Sequence, residues 1–129
     1  MNVTTSFSCD KELLSSIDAS WAHGLGSVLI CLRRRPPLER KYRYLTLPEV
    51  KVFSLVLSTD PVDRVNFLLD GYELSDWIAD DLTVTDIEDR KVIELSDSDH
   101  GPFSCTLTLP DSRALSSWLN KQLRNYPNV

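Results

Sequence analysis

Glycine and histidine are scarce in this chain, with four glycines and two histidines among 129 residues. So few glycines leave no glycine-rich phosphate loop, and no G-x-S-x-G, H-E-x-x-H or P-loop pattern occurs. His23 ends an apolar stretch beside Gly24, and His100 shares a loop with Asp97 and Asp99. Stable zinc binding needs three or four convergent nitrogen or sulfur ligands, so no metal site, cofactor or catalytic residue is expected. Cysteine is sparse too. Cys9, Cys31 and Cys105 are odd in number, widely spaced and free of any C-x-x-C pair, which predicts a reducing compartment with Cys31 and Cys105 as buried thiols. Long apolar runs are missing as well. The longest, Gly24 to Leu32, is about half of the ~20 residues a membrane-spanning helix requires, and no basic stretch followed by an apolar run marks a secretory leader. A soluble, cytoplasmic, non-enzymatic protein with at most peripheral membrane contact is the expectation.

What the chain does have is charge of both signs, sorted by position. Its net charge is −5, yet Arg33 to Arg43 (RRRPPLERKYR) sets six basic residues against Glu39, a local +5. Asp60 to Asp99 sets thirteen acids against Arg64, Arg90 and Lys91, a local −10. A single-sign patch in a chain of opposite net charge creates a local potential able to hold phosphates or an acidic partner. The overall negative charge argues against broad nucleic-acid binding, which draws on counterion release over a basic surface, so no nucleic-acid partner is expected.

The length allows one domain, residues 1–129. Leu13, Leu14, Ile17 and Trp21 follow Asp10 at three- and four-residue spacing, which predicts a short amphipathic N-terminal helix, an appendage over 1–23. Leu25 to Leu32 is an apolar run of strand length, and Pro36-Pro37 make the basic segment a loop. Tyr42 to Leu47 and Val50 to Leu57 are rich in aromatic and β-branched residues and read as strands broken at Pro48. Val65 to Leu69, Leu82 to Ile87 and Val92 to Leu95 read as further short strands, and Tyr72 to Asp81 equally as a helical turn. Phe103, Cys105, Leu107 and Leu109 alternate with polar residues, the sign of a strand with one buried face. After Pro110, Leu115, Trp118, Leu119 and Leu123 form the stripe of an amphipathic helix from Asp111 to Arg124. No internal repeat is recognised.

Successive antiparallel strands closed by a helix with a central tryptophan give an order of elements that resembles a pleckstrin-homology (PH) domain over residues 24–125. LRRRPPLERKYRYLTL, Leu32 to Leu47, is similar to that family's first loop and second strand, with Arg35, Lys41, Arg43 and Tyr44 at its basic and aromatic places. PFSCTLTLPDSRALSSWLNKQL, Pro102 to Leu123, is similar to its last strand and capping helix, with Trp118 at the helix tryptophan. The resemblance implies an α+β fold: a bent antiparallel β-sandwich or barrel capped by a C-terminal amphipathic helix.

The resulting expectation is a recruitment module in which Arg33, Arg34, Arg35, Arg40, Lys41 and Arg43 contact phosphoinositide headgroups or another anionic surface. Lys41 and Arg43 share one side of a strand, and arginine clasps phosphate oxygens bidentately. Tyr42 and Tyr44 then face the core. Were the tyrosines exposed instead, the aromatic and basic side chains would suit single-stranded nucleic acid, a reading ranked third because the patch is small. The main alternative is a protein-binding module, a scaffold or an acidic inhibitor of immunity type, docking a basic partner on Asp76, Asp80, Asp81, Asp86, Glu88 and Asp89.

Overall fold

Elements run in the order β1 (Thr4–Asp10), β2 (Ser15–Ala22), β3 (Ser27–Arg34), β4 (Glu39–Leu45), α1 (Leu47–Ser58), β5 (Val65–Leu69), β6 (Asp81–Ile87), β7 (Arg90–Ser96), β8 (Phe103–Thr108) and α2 (Leu109–Arg124). The computed structural model describes residues 4–10, 15–22, 27–34, 39–69, 81–96 and 103–124, with the backbone alone at 9–10, 22, 27, 34 and 65–69. The strands form two antiparallel four-stranded meanders, β1-β2-β3-β4 and β5-β6-β7-β8. The chain is therefore α+β.

One core lies between the sheets and beneath the helices. Ile17, Ile30 and Leu32 from the first sheet join Val84, Ile93 and Leu107 from the second, with Phe53 and Leu57 of α1 and Leu115 and Leu119 of α2. Each such side chain taken fully from water contributes about 1.5–3 kcal/mol.

Three segments differ from the sequence reading. The basic segment Arg33 to Arg43, read as a loop, is strand at both ends: Arg33 and Arg34 close β3, and Glu39 to Arg43 lie in β4. The predicted N-terminal helix is strand β2, because Ser15, Ile17, Ala19 and Trp21 are buried while Ser16, Asp18 and Ser20 are not. That period of two outweighed the helical spacing, which leaned on Leu13 and Leu14, outside the described residues. The predicted strand Val50–Leu57 is helix α1. Thr46 Oγ1 accepts from the Glu49 amide at 3.4 Å and Glu49 Oε1 accepts from the Thr46 amide at 2.9 Å, a capping box reinforced by proline in the first turn. These local signals outweigh the β-propensity of the valines, and Val50, Phe53, Val56 and Leu57 bury a helical stripe. This helix also interrupts the run of strands, an element absent from the PH resemblance.

The order ββββα occurs twice, and the sequence carries its trace. Leu45-Thr46-Leu47-Pro48-Glu49 and Leu107-Thr108-Leu109-Pro110-Asp111 open the two helices. Thr108 Oγ1 accepts from the Asp111 amide at 3.4 Å, as Thr46 does from Glu49. The same 62-residue offset relates Ser54 to Ser116, where the helices meet. The sequence reading, which found no repeat, is corrected by this pair of pentapeptides.

Register then defines equivalent positions. Trp21 pairs Val28, which pairs Leu45; in the second unit Asp86 pairs Lys91, which pairs Leu107. A buried ion pair thus stands where the first unit has tryptophan and valine.

Candidate functional site

Pairing through the first sheet arranges its outward side chains in three rows: Thr4, Ser20, Leu29, Tyr44; then Ser6, Asp18, Cys31, Tyr42; then Ser8, Ser16, Arg33, Arg40. The β1–β2 half of this face is mostly hydroxyls. The β3–β4 half is aromatic and basic.

Each cation here is held by a neighbour. Arg33 Nη2 donates to Asp18 Oδ1 at 3.1 Å, and its Nε stands 2.7 Å from Oδ2 as a charge contact without hydrogen-bond geometry, so one hydrogen bond and close opposite charge hold the guanidinium here. Ser6 Oγ donates to the same carboxylate at 2.5 Å. Arg40, on the exposed edge strand, is hydrogen-bonded by Tyr42, which holds its guanidinium above the usual value. Tyr42 also hydrogen-bonds Cys31, whose thiol is pushed up to about 11 by burial first and by the Asp18 carboxylate second. A thiol so protonated is a weak nucleophile near neutrality.

The predicted basic cluster is divided by the strand's parity. Lys41 and Arg43 stand on the inner face and are only 5% and 7% exposed. Lys41 Nζ lies 5.4 Å from the centre of the Phe103 ring, a cation–π contact. Arg43 Nη1 donates to the Tyr44 carbonyl at 3.2 Å, and its Nη2 stands 3.6 Å from Glu49 Oε2. The expectation that these two project outward while Tyr42 and Tyr44 face the core is reversed. Leu45 carries the signal: it is fully buried beside the helix start, and two-residue steps back from it reach Arg43 and Lys41. Arg34 is described by its backbone alone, and Arg35 lies outside the described residues.

The acidic candidates are dispersed likewise. Asp86 is fully buried: its Oδ1 accepts from Lys91 Nζ at 2.9 Å and its Oδ2 from the Val62 amide at 3.1 Å. As a docking residue it is withdrawn. Asp81 is half-buried, while Glu88 and Asp89 are exposed at the β6–β7 turn; Asp76 and Asp80 lie outside the described residues. Cys105, predicted to be a core thiol, is disulfide-bonded, and Cys31 is free and buried. Among the described residues, no group of three His, Cys, Asp or Glu side chains could hold a metal ion, and no helix is long and apolar enough to cross a membrane.

The second sheet provides an internal comparison. Positions equivalent to Tyr42 and Tyr44 at the repeat's 62-residue offset hold Ser104 and Thr106, which stand in rows with Thr83 and Glu94 and with Val92 and Thr85, while Arg90 supplies a basic residue at the β6–β7 end of that face. The fold therefore does not demand aromatic residues there. Their concentration on β3 and β4 is particular to the first unit. Comparison with known proteins finds no matching family model, no curated protein of similar sequence and no solved structure of matching fold.

Proposed function

We propose that this chain is a non-enzymatic binding module that takes single-stranded nucleic acid on the outward face of its first sheet. One observation carries the reading: Arg40, Tyr42 and Tyr44 share the face that Lys41 and Arg43 leave. Alternate residues of a strand stand about 7 Å apart, twice the 3.4 Å rise per nucleotide along a duplex strand. Bases stacked on both tyrosines must be unstacked from each other, as in a splayed single strand. Aromatic stacking with nearby arginines on the phosphates is the usual chemistry of such surfaces. Arg33, held beside Asp18, and Arg40 stand together at one end of the tyrosine pair, next to Tyr42. The net charge of −5 confines binding to this face, so the contact is short and sensitive to salt.

Recruitment to phosphoinositide headgroups, the first expectation from sequence, ranks second. Arg33 and Arg40 still border the β3–β4 connection, but the clasp loses Lys41 and Arg43 to the interior.

The test is fluorescence anisotropy with a labelled oligothymidine at low and physiological salt, set beside sedimentation with phosphoinositide vesicles. Oligonucleotide binding that falls about 5- to 150-fold in Tyr42→Ala or Tyr44→Ala, the equivalent of ~1–3 kcal/mol per stacked base, supports the reading. Vesicle binding without oligonucleotide binding replaces it with the lipid reading. Binding to neither sinks both.

A further inference from the structure

The duplication makes one feature of α1 stand out. Lys51, Val52, Leu55 and Ser58 are all exposed, with Val52 at 47% and Leu55 at 64%. Their equivalents on α2, Arg113, Ala114, Ser117 and Asn120, are exposed as well. The outer positions are basic and polar in both units, but the two central ones are Ala114 and Ser117 in α2 and Val52 and Leu55 in α1. Leu55 in water is not a demand of the architecture.

We infer that this stripe is a self-complementary surface on which a second copy of the chain docks, α1 against α1 in antiparallel fashion. The order of charges argues for this occupant. Lys51 opens the stripe, Val52 and Leu55 form its centre, and Asp60 stands just past its end with its side chain 92% exposed. In a twofold contact the same patch serves both partners, so residue i meets j and j meets i. Centring the crossing on Leu55 brings Lys51 of each copy beside the Thr59–Asp60 end of the other. Leu55 then meets Leu55 at the centre, Val52 of each copy covers Ser58 of the other, and two opposite-charge pairs form at the ends. A basic or an acidic foreign segment would match only one end of the stripe. Asp60 already accepts from Arg113 Nη2 at 3.0 Å, but an exposed pair of this kind is worth little and leaves its carboxylate available. The surface is small, so the dimer is weak and forms with rising concentration. It lies on a helix, apart from the proposed nucleic-acid face on the sheet, and stands or falls independently of it.

The experiment is sedimentation velocity of the full chain from micromolar to near-millimolar concentration. The natural protein is expected to shift from monomer to dimer, and Leu55→Glu to remain monomeric at every concentration with an unchanged melting curve, since the side chain is exposed. Lys51→Glu alone should weaken association at least tenfold, and Lys51→Glu combined with Asp60→Lys should restore it. A natural chain that stays monomeric throughout overturns the inference. So does a dimer that survives Leu55→Glu, or a charge reversal that is not rescued by its counterpart.

Discussion

Ser54 and Ser116 hold one another reciprocally across the crossing of α1 and α2. Ser54 Oγ donates to the Ser116 carbonyl at 3.1 Å, Ser116 Oγ donates to the Ser54 carbonyl at 2.7 Å, and the two oxygens lie 3.0 Å apart. Ser54 Oγ is also 2.8 Å from Asn120 Oδ1. Both serines are buried, so each hydroxyl needs its partner, and only small side chains permit the two backbones to approach so closely. The pair joins the two ββββα units at equivalent positions.

Because the bonds are shared, the two serines should behave as a unit. Ser54→Ala and Ser116→Ala are each expected to cost about 1 kcal/mol, and the double variant less than the sum, since the first substitution already removes part of what the second would lose. Ser116→Leu should cost about 1–3 kcal/mol by forcing the helices apart. Urea unfolding of the natural chain and the four variants checks this, and strictly additive alanine effects would show that the hydroxyls act separately.

The repeat also explains which parts of the fold were legible in sequence. The strand β8 follows from alternation and α2 from its amphipathic stripe, while β3 to β7 follow from short apolar or β-branched runs, with the start of β4 at Glu39 hidden in the basic segment. The helix α1 was hidden because Val50, Val52 and Val56 carry strand propensity, while the deciding information lies in Thr46, Pro48 and Glu49, three residues of cap chemistry. Recognising LTLPE as the counterpart of LTLPD would have assigned α1 from α2. The site was legible only in outline. The sequence located the basic and aromatic residues of β4, but which parity faces water depends on Leu45 being anchored beneath a helix that propensity did not predict. Asp86 and Lys91, an acid and a base near a turn, look like surface residues in sequence. Only the register that buries them against each other removes them from the acidic face.

That buried pair is the sharpest test of the duplication. Lys91 Nζ also donates to Thr59 Oγ1 at 3.3 Å, so the pair ties the end of α1 to the β6–β7 hairpin. Removing one partner leaves an uncompensated charge in the core, and Lys91→Met alone is expected to cost about 3–5 kcal/mol. The first unit shows that apolar residues fill the equivalent place, in Trp21 and Val28. Asp86→Leu with Lys91→Met should therefore recover much of that loss, the remainder reflecting the Val62 amide left without its acceptor. Urea or thermal melts of the single and double variants decide it. A double variant no more stable than the worse single would mean that the pair is needed for more than mutual neutralisation.

Cys31 gives the fold a dependence on alkaline pH whose sign can be worked out. Burial raises its thiol to about 11 from an ordinary 9.0, so the folded state holds the proton more tightly than the unfolded state. Below about pH 9 both states keep it and stability is indifferent to pH on this account. Between about pH 9 and 11 the unfolded thiol ionises first, fewer protons are bound by the unfolded chain, and stability falls as pH rises. Tyrosines titrate in the same range, so the effect is read as a difference: the natural chain should lose stability from pH 9 to 11 more steeply than Cys31→Ala. At pH 8 the thiol should also resist iodoacetamide until denaturant is added, since little thiolate is present and the sulfur is covered. Rapid modification of folded protein at pH 8, or parallel pH profiles for the two chains, would show that burial and the Asp18 carboxylate do not hold the thiol protonated against the opposing pull of Arg33, Arg40 and Tyr42.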